Sequence, residues 1–339
     1  MQAVILAAGK STRTYPLTLT RPKPLLKVAN KTLLEHNLEN LKDFVSDVII
    51  IVGYKKDLIK KHIGNKYNHI KVRYVDQKQQ LGTAHAVSFA EPYIKDKFFL
   101  LMGDDIYSKE DIKSCVKYRF SILATKVTNQ SNASELRSKR TRSQLSNFGV
   151  VIAKNGILID FIEKPKKFIS NLASMAFYTL DKKIFKYIKK TRKSRRNEFE
   201  MPDALKLMSK HEKIHVVKGK KWFPIVYSLD LLKADKELRN KKNIIGKNSK
   251  IYGKIKNSSV GNNCIVRGNV ANSIIMDKAM IDKNSIIKDS VIGENVYLNG
   301  KVSNSVVADN VKARNVIIKN CKIWPDKAIS NKTIKNDVK

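Results

Sequence analysis

Residues 2–26 read QAVILAAGKSTRTYPLTLTRPKPLL. The run Ala3–Ala8 is continuously apolar, which predicts a strand buried on both faces. The small residues Ala7–Gly9 at its end let the backbone approach a phosphate, whose oxygens the N–H groups can bind. Arg13 ends this loop. Further on, Lys23 lies between two prolines, and we expect these prolines to hold it in a stiff extended segment. The stretch therefore predicts a first strand followed by a phosphate-binding loop.

Apolar runs alternate with amphipathic stretches over the first 240 residues, as strands connected by helices do. The next three strands, predicted to be buried and parallel to the first, are Val48–Val52, Ile70–Val75 and Phe98–Met102, and later ones are Phe148–Ala153, Ile157–Ile162, Ser174–Leu180 and Ile214–Val217. Thr32 and Glu35 have the spacing of a capping box, Pro202 suits a first helical position, and Asp230 suits an N-cap. The pattern predicts a doubly wound, Rossmann-like α/β domain at residues 1–240, which binds ligands beyond the carboxyl ends of its strands.

Two polar, basic segments read as loops. Residues 128–147 contain almost no large apolar side chain and predict either a mobile lid or a disordered loop. Lys189–Arg196 is similar but shorter. Solvated surface is the favoured interpretation of both, although basic loops could reach over a phosphate-bearing ligand.

From about Ile244 aliphatic residues recur six apart, with small or turn-forming residues between them. Examples are Ile245 and Ile251, and Ile275, Ile281 and Ile287. A six-residue period is typical of a parallel β-helix built of hexapeptide repeats, and we expect a left-handed one at residues 244–327. An antiparallel β domain would instead alternate with a period of two.

Composition favours a cytoplasmic protein without membrane segments. The apolar runs are too short to cross a bilayer, no leader-like segment precedes the first strand, and three cysteines lie far apart without metal-ligand spacing. The net charge is +37, and most of the basic residues are lysines. The excess is spread along the chain, since residues 1–240 carry 48 basic and 23 acidic side chains, and residues 241–339 carry 19 basic and 7 acidic ones. We interpret it as a solvated basic surface that attracts anionic substrates, and consider nucleic-acid binding unlikely.

Six motifs in order resemble those of the sugar-1-phosphate nucleotidyltransferases (NDP-sugar pyrophosphorylases), including archaeal-type uridylyl- and thymidylyltransferases. They are Leu6-Ala7-Ala8-Gly9-x-x-Thr12-Arg13 with Pro22-Lys23-Pro24-Leu25-Leu26, Gln77 with Leu81-Gly82-Thr83-Ala84-His85-Ala86, Gly103-Asp104, Phe148-Gly149-Val150, Glu163-Lys164-Pro165 with Asn171-Leu172, and Trp222 with Asp230-Leu231-Leu232-x-Ala234. Together they extend over about 240 residues, which makes the resemblance specific.

The resemblance implies a role for each motif residue. Arg13 would clamp a triphosphate, Lys23 would bridge its α-phosphate and the incoming sugar phosphate, and Asp104 would hold Mg²⁺, with Asp105 a less favoured second ligand. The nucleotide-binding residues it implies are Leu6, Ala7, Ala8, Gly9, Thr12, Gln77, Gly82 and Thr83. The sugar-binding residues it implies are Gly149, Glu163, Lys164 and Asn171. His85 is interpreted as a packing residue at a helix start.

The sequence also departs from the family pattern. Ser11 and Ala176 occupy positions where glycine is common, and Pro224 stands where many members have a metal-binding aspartate. The C-terminal region has no histidine, which argues against the acetyl transfer of bifunctional relatives. Its tail Ile323–Lys327 resembles mannose-1-phosphate guanylyltransferase-like proteins, and we expect the β-helix to support a homo-oligomer.

The predicted activity is the transfer of a nucleotidyl group from a nucleoside triphosphate to a sugar 1-phosphate, with release of pyrophosphate. UTP is favoured and dTTP comes next, with glucose 1-phosphate or N-acetylglucosamine 1-phosphate as acceptor. Two alternatives stay open: a mannose-1-phosphate guanylyltransferase-like enzyme, and a non-catalytic nucleotide-sugar-binding regulatory paralogue.

Overall fold

The computed structural model describes residues 1–127, 147–220 and 222–339. They divide into two units, here called the first unit (Met1–Gly9 with Asn37–Trp222) and the second unit (Lys10–His36 with Phe223–Lys339). Nearly all of the predicted loop at 128–147 lies outside the described residues. Among the described residues, no helix combines the length and apolar character that a membrane span requires.

The first unit is built on one ten-stranded mixed sheet. Numbered along the whole chain, its strands are β1 (Gln2–Ala7), β4 (Asp47–Val52), β5 (Lys66–Tyr67), β6 (Ile70–Asp76), β7 (Phe98–Met102), β8 (Ser121–Lys126), β9 (Gly149–Lys154), β10 (Ile157–Glu163), β11 (Leu172–Leu180) and β12 (His215–Lys218). The strand order is β5-β6-β4-β1-β7-β11-β8-β12-β10-β9. Strand β1 lies at the centre of the parallel part, between β4 and β7, because its apolar side chains are buried on both faces.

The sequence located this sheet closely. All eight predicted strands exist with ends shifted by two residues at most, and the four expected to be parallel are parallel. Strands β5 and β8 were not predicted, and β11 runs antiparallel to both β7 and β8, so the sheet is mixed.

The seven helices in the described residues are short. They are α1 (Leu33–Leu41), α2 (Lys56–Ile63), α3 (Thr83–Ser88), α4 (Lys109–Cys115), α5 (Lys183–Ile188), α6 (Met201–Ser209) and α7 (Asp230–Leu238). The capping box before α1 is confirmed, because Glu35 N–H donates to Thr32 Oγ1 at 3.1 Å and Thr32 N–H donates to Glu35 Oε2 at 2.7 Å. Pro202 is the second residue of α6 rather than the first. Asp230 is the first helical residue of α7 rather than its N-cap, although its carboxylate accepts from the N–H groups of Val226 and Tyr227.

The second unit contains a short hairpin, β2 (Lys27–Val28) with β3 (Lys31–Thr32), and a C-terminal parallel-strand region. The strands of that region are β13 (Ile244–Ile245), β14 (Lys250–Ile251), β15 (Ile255–Lys256), β16 (Ser259–Val260), β17 (Ile265–Val266), β18 (Asn269–Ala271), β19 (Ile274–Ile275), β20 (Met280–Ile281), β21 (Ile286–Lys288), β22 (Val291–Ile292), β23 (Tyr297–Ser303), β24 (Val306–Val307), β25 (Lys312–Lys319), β26 (Lys322–Ile323) and β27 (Ala328–Ile334). The chain visits three parallel ladders in turn, an arrangement consistent with a β-helix. That this helix is left-handed stays a prediction.

The repeat of this region is shorter than predicted. Paired strands are 15 to 17 residues apart, as in Ile244 with Ser259 and Asn269 with Ile286, whereas three six-residue sides would need 18. The buried residues Val260, Val266, Val270 and Ile275 show why, because they are separated by six, four and five residues. The six-residue spacing seen in the sequence therefore belongs to only some of the sides.

Asparagine has a conformational role at the corners of this region. A left-handed backbone favours glycine, and asparagine more than most other residues. The corner asparagines with positive φ are Asn248, Asn257, Asn263, Asn272, Asn295, Asn304, Asn310, Asn315, Asn320 and Asn331. The asparagine-rich composition of this part of the chain thus follows from its fold.

Candidate active site

The carboxyl end of β1 is held closely by its neighbours in the first unit. Gly103 N–H donates to Leu6 O at 2.8 Å, and the side chain of Gln80 donates to Ala8 O at 2.6 Å. A Cβ atom on Gly53 would lie 2.9 Å from Ala8 O, so only glycine lets these backbones approach so closely. Gly9, the next residue, is exposed. The strand thus ends in a fixed backbone that leads directly to the surface.

Asp104 and Asp105 follow β7 in a turn at the same edge of the sheet. The side chain of Asn37 donates to Asp105 O at 2.7 Å and holds this turn. Burial raises the pKa of Tyr107 well above its ordinary value, and the negative charges of Asp105 and Asp104 add to this shift. Because the two aspartates lie beyond the strand, strand alternation does not require their side chains to point to opposite faces, so it gives no reason to favour Asp104 over Asp105.

The carboxylates suit a magnesium ion that takes most of its ligands from elsewhere. In the described part of the chain, no three His, Cys, Asp or Glu side chains converge as a closed metal site would require. Mg²⁺ is commonly held by one or two carboxylates together with substrate phosphates and water. Asp104, with Asp105 beside it, fits that kind of site.

Residues 77–85 form a loop that is clamped to the segment around Phe199; it is called the base loop after the nucleotide-binding role that the resemblance implies. Phe199 N–H donates to Leu81 O at 2.8 Å, and Phe199 O accepts from Ala84 N–H at 2.9 Å. Gly82 has φ +107°, and a Cβ atom there would lie 2.4 Å from Phe199 O. Thr83 Oγ1 accepts from Met201 N–H at 3.0 Å. The loop therefore requires glycine at position 82.

Gln77 and His85 face each other within this loop. Gln77 is buried, and its Nε2 lies 3.1 Å from His85 Nδ1. The His85 ring also packs edge-on against Phe89, with centroids 4.9 Å apart. Burial lowers the pKa of His85, which keeps the ring neutral at physiological pH. These contacts agree with the packing role predicted for His85.

The structure brings together three of the four predicted sugar-binding residues. Lys164 Nζ lies 3.3 Å from Glu163 Oε1, and a Cβ atom on Gly149 would lie 2.9 Å from Glu163 Oε2. Burial raises the pKa of Glu163, and Lys164 opposes that shift. Asn171 is exposed before β11, where its backbone carbonyl accepts from Val127 N–H at 2.8 Å.

Arg196 joins this group and was missed as a site residue. Its guanidinium lies 3.4 Å from Glu163 Oε1, 2.6 Å from Glu198 and 3.6 Å from Glu200. The run around Arg196 is polar and basic, which predicted a solvated loop. The alternation of acidic residues at 198 and 200 just after that run was the available signal.

Arg13 belongs to the second unit and lies exposed in a 3₁₀ turn (Thr12–Thr14). The hydroxyls of Thr14 and Thr18 both donate to Ser11 O, at 2.7 and 2.9 Å. Ser228 donates from its hydroxyl to Thr14 O at 2.9 Å. This turn is thus fixed by hydroxyl side chains within it and after it, and Ser228 was not singled out from the sequence.

Lys23 is buried in another 3₁₀ turn (Lys23–Leu25) of the second unit. Leu25 N–H donates to Pro22 O at 3.0 Å, and Leu26 N–H donates to Lys23 O at 2.9 Å. The expectation of an extended segment is therefore wrong for Lys23 itself. Pro22 is extended, with ψ 150°, and Pro24 lies inside the turn, where its fixed φ is compatible with a helical conformation.

Both departures from glycine sit in strained backbone. Ser11 has φ +50° and Ala176 has φ +53°, conformations that glycine adopts without steric cost. The Ser174 hydroxyl accepts from Ala176 N–H at 3.0 Å and supports that bend. This chain therefore keeps the left-handed conformation at both positions despite the side chains.

The predicted site residues are divided between the units. The first unit holds Leu6, Ala7, Ala8, Gly9, Gln77, Gly82, Thr83, Asp104, Gly149, Glu163, Lys164 and Asn171, and the second holds Thr12, Arg13 and Lys23.

Comparisons with known proteins match both parts of the chain. Residues 2–241 match the family model described as nucleotidyl transferase, and residues 237–339 match one described as GMPPB C-terminal domain. The bifunctional protein GlmU of Methanocaldococcus jannaschii is 35% identical over 272 residues, which cover 80% of this chain and 60% of that protein. The UTP–glucose-1-phosphate uridylyltransferase AglF of Haloferax volcanii is 33% identical over 210 residues, which cover 61% of this chain and 83% of that protein. The chain thus spans about three fifths of the length of the GlmU relative.

Solved structures show the same fold. A UDP-glucose pyrophosphorylase complexed with UDP-glucose aligns with a TM-score of 0.61 and 23% identity, covering 71% of this chain and 99% of that one. A putative glucose-1-phosphate thymidylyltransferase from Bacillus anthracis aligns with a TM-score of 0.61 and 24% identity, covering 71% of this chain and 97% of that one.

Proposed function

Because this chain belongs to the nucleotidyl transferase family, we propose that it joins a sugar 1-phosphate to a nucleoside triphosphate. The observation that carries the proposal is the end of β1, where Gly53 and Gly103 fix the backbone of residues 6–8 and Asp104 follows in the adjacent turn. A phosphate oxygen of the sugar attacks the α-phosphorus, the bond to the β-phosphate breaks, and pyrophosphate leaves. Such a reaction needs aligned charges rather than a covalent nucleophile.

Three residues supply those charges in the proposal. Arg13 binds the triphosphate with the two donors of its fork, and Lys23 neutralises the α-phosphate and the sugar phosphate. Asp104 would hold a divalent cation, proposed to be Mg²⁺, which supplies further neutralisation of phosphate charge when bound. Leu6–Gly9 and Thr12 are nucleotide-binding residues in the same proposal.

The base loop is proposed to select a pyrimidine. Gln77 and the backbone at Gly82 and Thr83 offer donors to ring carbonyls, and the clamp on Phe199 keeps them in place. A neutral His85 adds no charge near an uncharged base. We therefore favour UTP and place dTTP second.

The sugar would lie against Gly149, Glu163, Lys164 and Asn171. A carboxylate such as that of Glu163 accepts from sugar hydroxyls, while Lys164 and Asn171 donate to oxygens. The absence of a side chain on Gly149 leaves room beside the Glu163 carboxylate. Glucose 1-phosphate and N-acetylglucosamine 1-phosphate are the favoured acceptors.

Residues 244–327 are proposed to be a left-handed β-helix domain that follows the catalytic domain of residues 1–240. All six histidines lie at or before His215, so this region offers no histidine base for acetyl transfer. Its role in the proposal is assembly of a homo-oligomer, and we propose that the protein acts in the cytoplasm.

A second candidate is guanylyl transfer to mannose 1-phosphate. The tail Ile323–Lys327, which resembles mannose-1-phosphate guanylyltransferase-like proteins, favours it. A regulatory, non-catalytic role is favoured instead by Pro224, which stands where many family members have a metal-binding aspartate.

The test is pyrophosphate release with Mg²⁺ across UTP, dTTP, GTP and ATP, each with glucose, N-acetylglucosamine and mannose 1-phosphates. Lys23→Ala should lower the rate by ~10²–10³-fold, because it removes an electrostatic partner of the transferred group. Lys31→Ala, which removes an exposed lysine of β3, is the matched control and should keep the wild-type rate.

Release with one nucleotide and one sugar phosphate would support the proposal and identify the substrates. Release with GTP and mannose 1-phosphate would favour the second candidate. Nucleotide binding without release in any combination would sink the enzymatic proposal in favour of a regulatory role.

A further inference from the structure

The signature segment (residues 20–27), which carries Lys23, is tied to the parallel-strand region on both sides of that lysine. Before it, Arg21 forms ion pairs with Glu294 and Asp309, and Thr20 Oγ1 donates to Asp309 Oδ2 at 2.5 Å. After it, Lys27 Nζ lies 2.6 Å from Asp277 Oδ2. All of these groups belong to the second unit.

The three carboxylates form one acidic stripe (Asp277, Glu294, Asp309). Ile275, Ile292 and Val307 occupy equivalent positions on adjacent strands of one ladder. Each stripe residue comes two positions after one of these, at the same corner of successive turns of the chain. The repeat of the region therefore stacks three negative charges along one edge.

The contact between Arg21 and Asp309 is well shielded from water, whereas the Glu294 side chain is 32% exposed. The Arg21 side chain is 13% exposed and that of Asp309 is 6% exposed. Attraction to Asp309 and Glu294 raises the pKa of Arg21 although burial opposes it. Partly buried pairs are screened less than surface pairs, and removing one partner leaves the other charge uncompensated.

Two of the carboxylates use their two oxygens for different purposes. Asp277 Oδ1 accepts from Asn262 N–H at 3.0 Å, and Asp309 Oδ1 accepts from Glu294 N–H at 2.7 Å, which links successive strands. Their Oδ2 atoms hold the signature segment. Asn262 lies at the same corner, one turn of the chain before Asp277. Its amide oxygen Oδ1 accepts from Lys247 N–H at 2.8 Å, so it links successive strands as the Oδ1 atoms of the two aspartates do. Asparagine can therefore maintain the link between strands without supplying the charge.

We propose that Asp277, Glu294 and Asp309 are positioning residues for nucleotidyl transfer, which act through Arg21 and Lys27 to hold the turn that carries Lys23. The parallel-strand region then sets the geometry of the signature segment in addition to any role in assembly. This inference rests on the proposed function only because that function assigns Lys23 to the phosphates.

The experiment compares the double variant Asp277→Asn, Asp309→Asn with the control double variant Asp289→Asn, Asp326→Asn. The control removes the same charge from the same region, and both of its aspartates have the positive φ at which asparagine is common here. Hydrogen exchange at the amides of Leu25 and Leu26 reports the turn without substrate. Initial rates give kcat and KM for the active substrate pair.

In the stripe variant these amides should exchange roughly tenfold faster than in the control, because opening of the turn becomes easier. Because Arg21 then keeps only Glu294 as a charged partner, the unfolding midpoint should lie below that of the control. We expect kcat to fall by ~10- to 100-fold through misplacement of Lys23. Arg21→Gln, which leaves the parallel-strand region unaltered, should reproduce both effects if the stripe variant folds poorly. Arg21→Lys should restore part of each.

Unchanged exchange in both the stripe variant and Arg21→Gln would overturn the inference. Faster exchange with unaltered kcat would overturn the positioning role, because the anchor would then be structural only. If the wild type releases no pyrophosphate with any pair, the proposed function fails and the positioning role falls with it, whereas the exchange data still decide whether the stripe holds the segment.

Discussion

Replacing Gly82 with alanine should damage the base loop selectively. Gly82 has φ +107° and ψ 176°, a region that is essentially restricted to glycine, where another residue costs about 1–3 kcal/mol. The new Cβ atom would also lie 2.4 Å from Phe199 O and 2.8 Å from Phe199 N. Neither atom can yield without disturbing the hydrogen bonds to Leu81 and Ala84, each worth about 1 kcal/mol. With one or both of these bonds lost, the total is about 2–5 kcal/mol.

Gly156→Ala is the matched control. Gly156 has φ +75°, and a Cβ atom there meets nothing within 4 Å, so this variant carries only the backbone cost of about 1–2 kcal/mol. Urea unfolding of both variants gives the difference in stability. Initial rates give KM for the nucleotide, which should rise in Gly82→Ala alone. Equal destabilisation in the two variants, together with unaltered KM, would refute the reasoning about the clamp.

Glu163, Arg239 and the cysteines offer further tests. Burial raises the pKa of Glu163 above 4.5, so the folded state binds more protons than the unfolded chain as pH rises past that value. In urea unfolding, the stability of Glu163→Gln relative to the wild type should therefore increase as the pH rises from 4.5 towards neutrality. A relative stability that increases on acidification would contradict this. Arg239→Met should cost about 3–5 kcal/mol in the same assay, because Asp235 is left buried without its partner, whereas the exposed Lys189→Met should cost about 0–1 kcal/mol. If Arg239→Met destabilised the protein as little as Lys189→Met does, the buried ion pair with Asp235 would not be important for stability. Burial raises the pKa of all three thiols, that of Cys115 to about 12. A disulfide reagent at pH 8 should therefore react with no thiol of the native protein and with three thiols after unfolding. A rapidly reacting native thiol would be inconsistent with the fold. The three buried cysteines are Cys115, Cys264 and Cys321.

The sheet and the first helix start could be predicted because their signals are local. Apolar runs such as Val48–Val52 mark buried strands, and Thr32 with Glu35 marks a capping box, whatever the rest of the chain does. Strand β8 (Ser121–Lys126) was missed because Ile122 and Leu123 are its only large apolar residues, which gives a weaker signal. The parallel-strand region was predicted from a six-residue spacing that holds for only some of its sides, so its class was anticipated and its repeat length was not.

Several contacts of the candidate site could not be predicted, since their partners are distant in the chain. Arg196 looked like part of a solvated loop until the fold placed it beside Glu163. Ser228 carries no motif, yet its hydroxyl holds the turn of Arg13.

The sequence by itself determined the strands, the helix start and the chemistry available at each motif, because propensity, periodicity and residue type act over a few neighbouring positions. Only the tertiary structure decided that Lys23 sits in a 3₁₀ turn between two anchors, and that Asp277, Glu294 and Asp309 supply them. Those anchors are about 250 to 290 residues from Arg21 and Lys27 along the chain. Charges so far apart interact only after the parallel strands have stacked their corners into one edge, and no local pattern records that stacking.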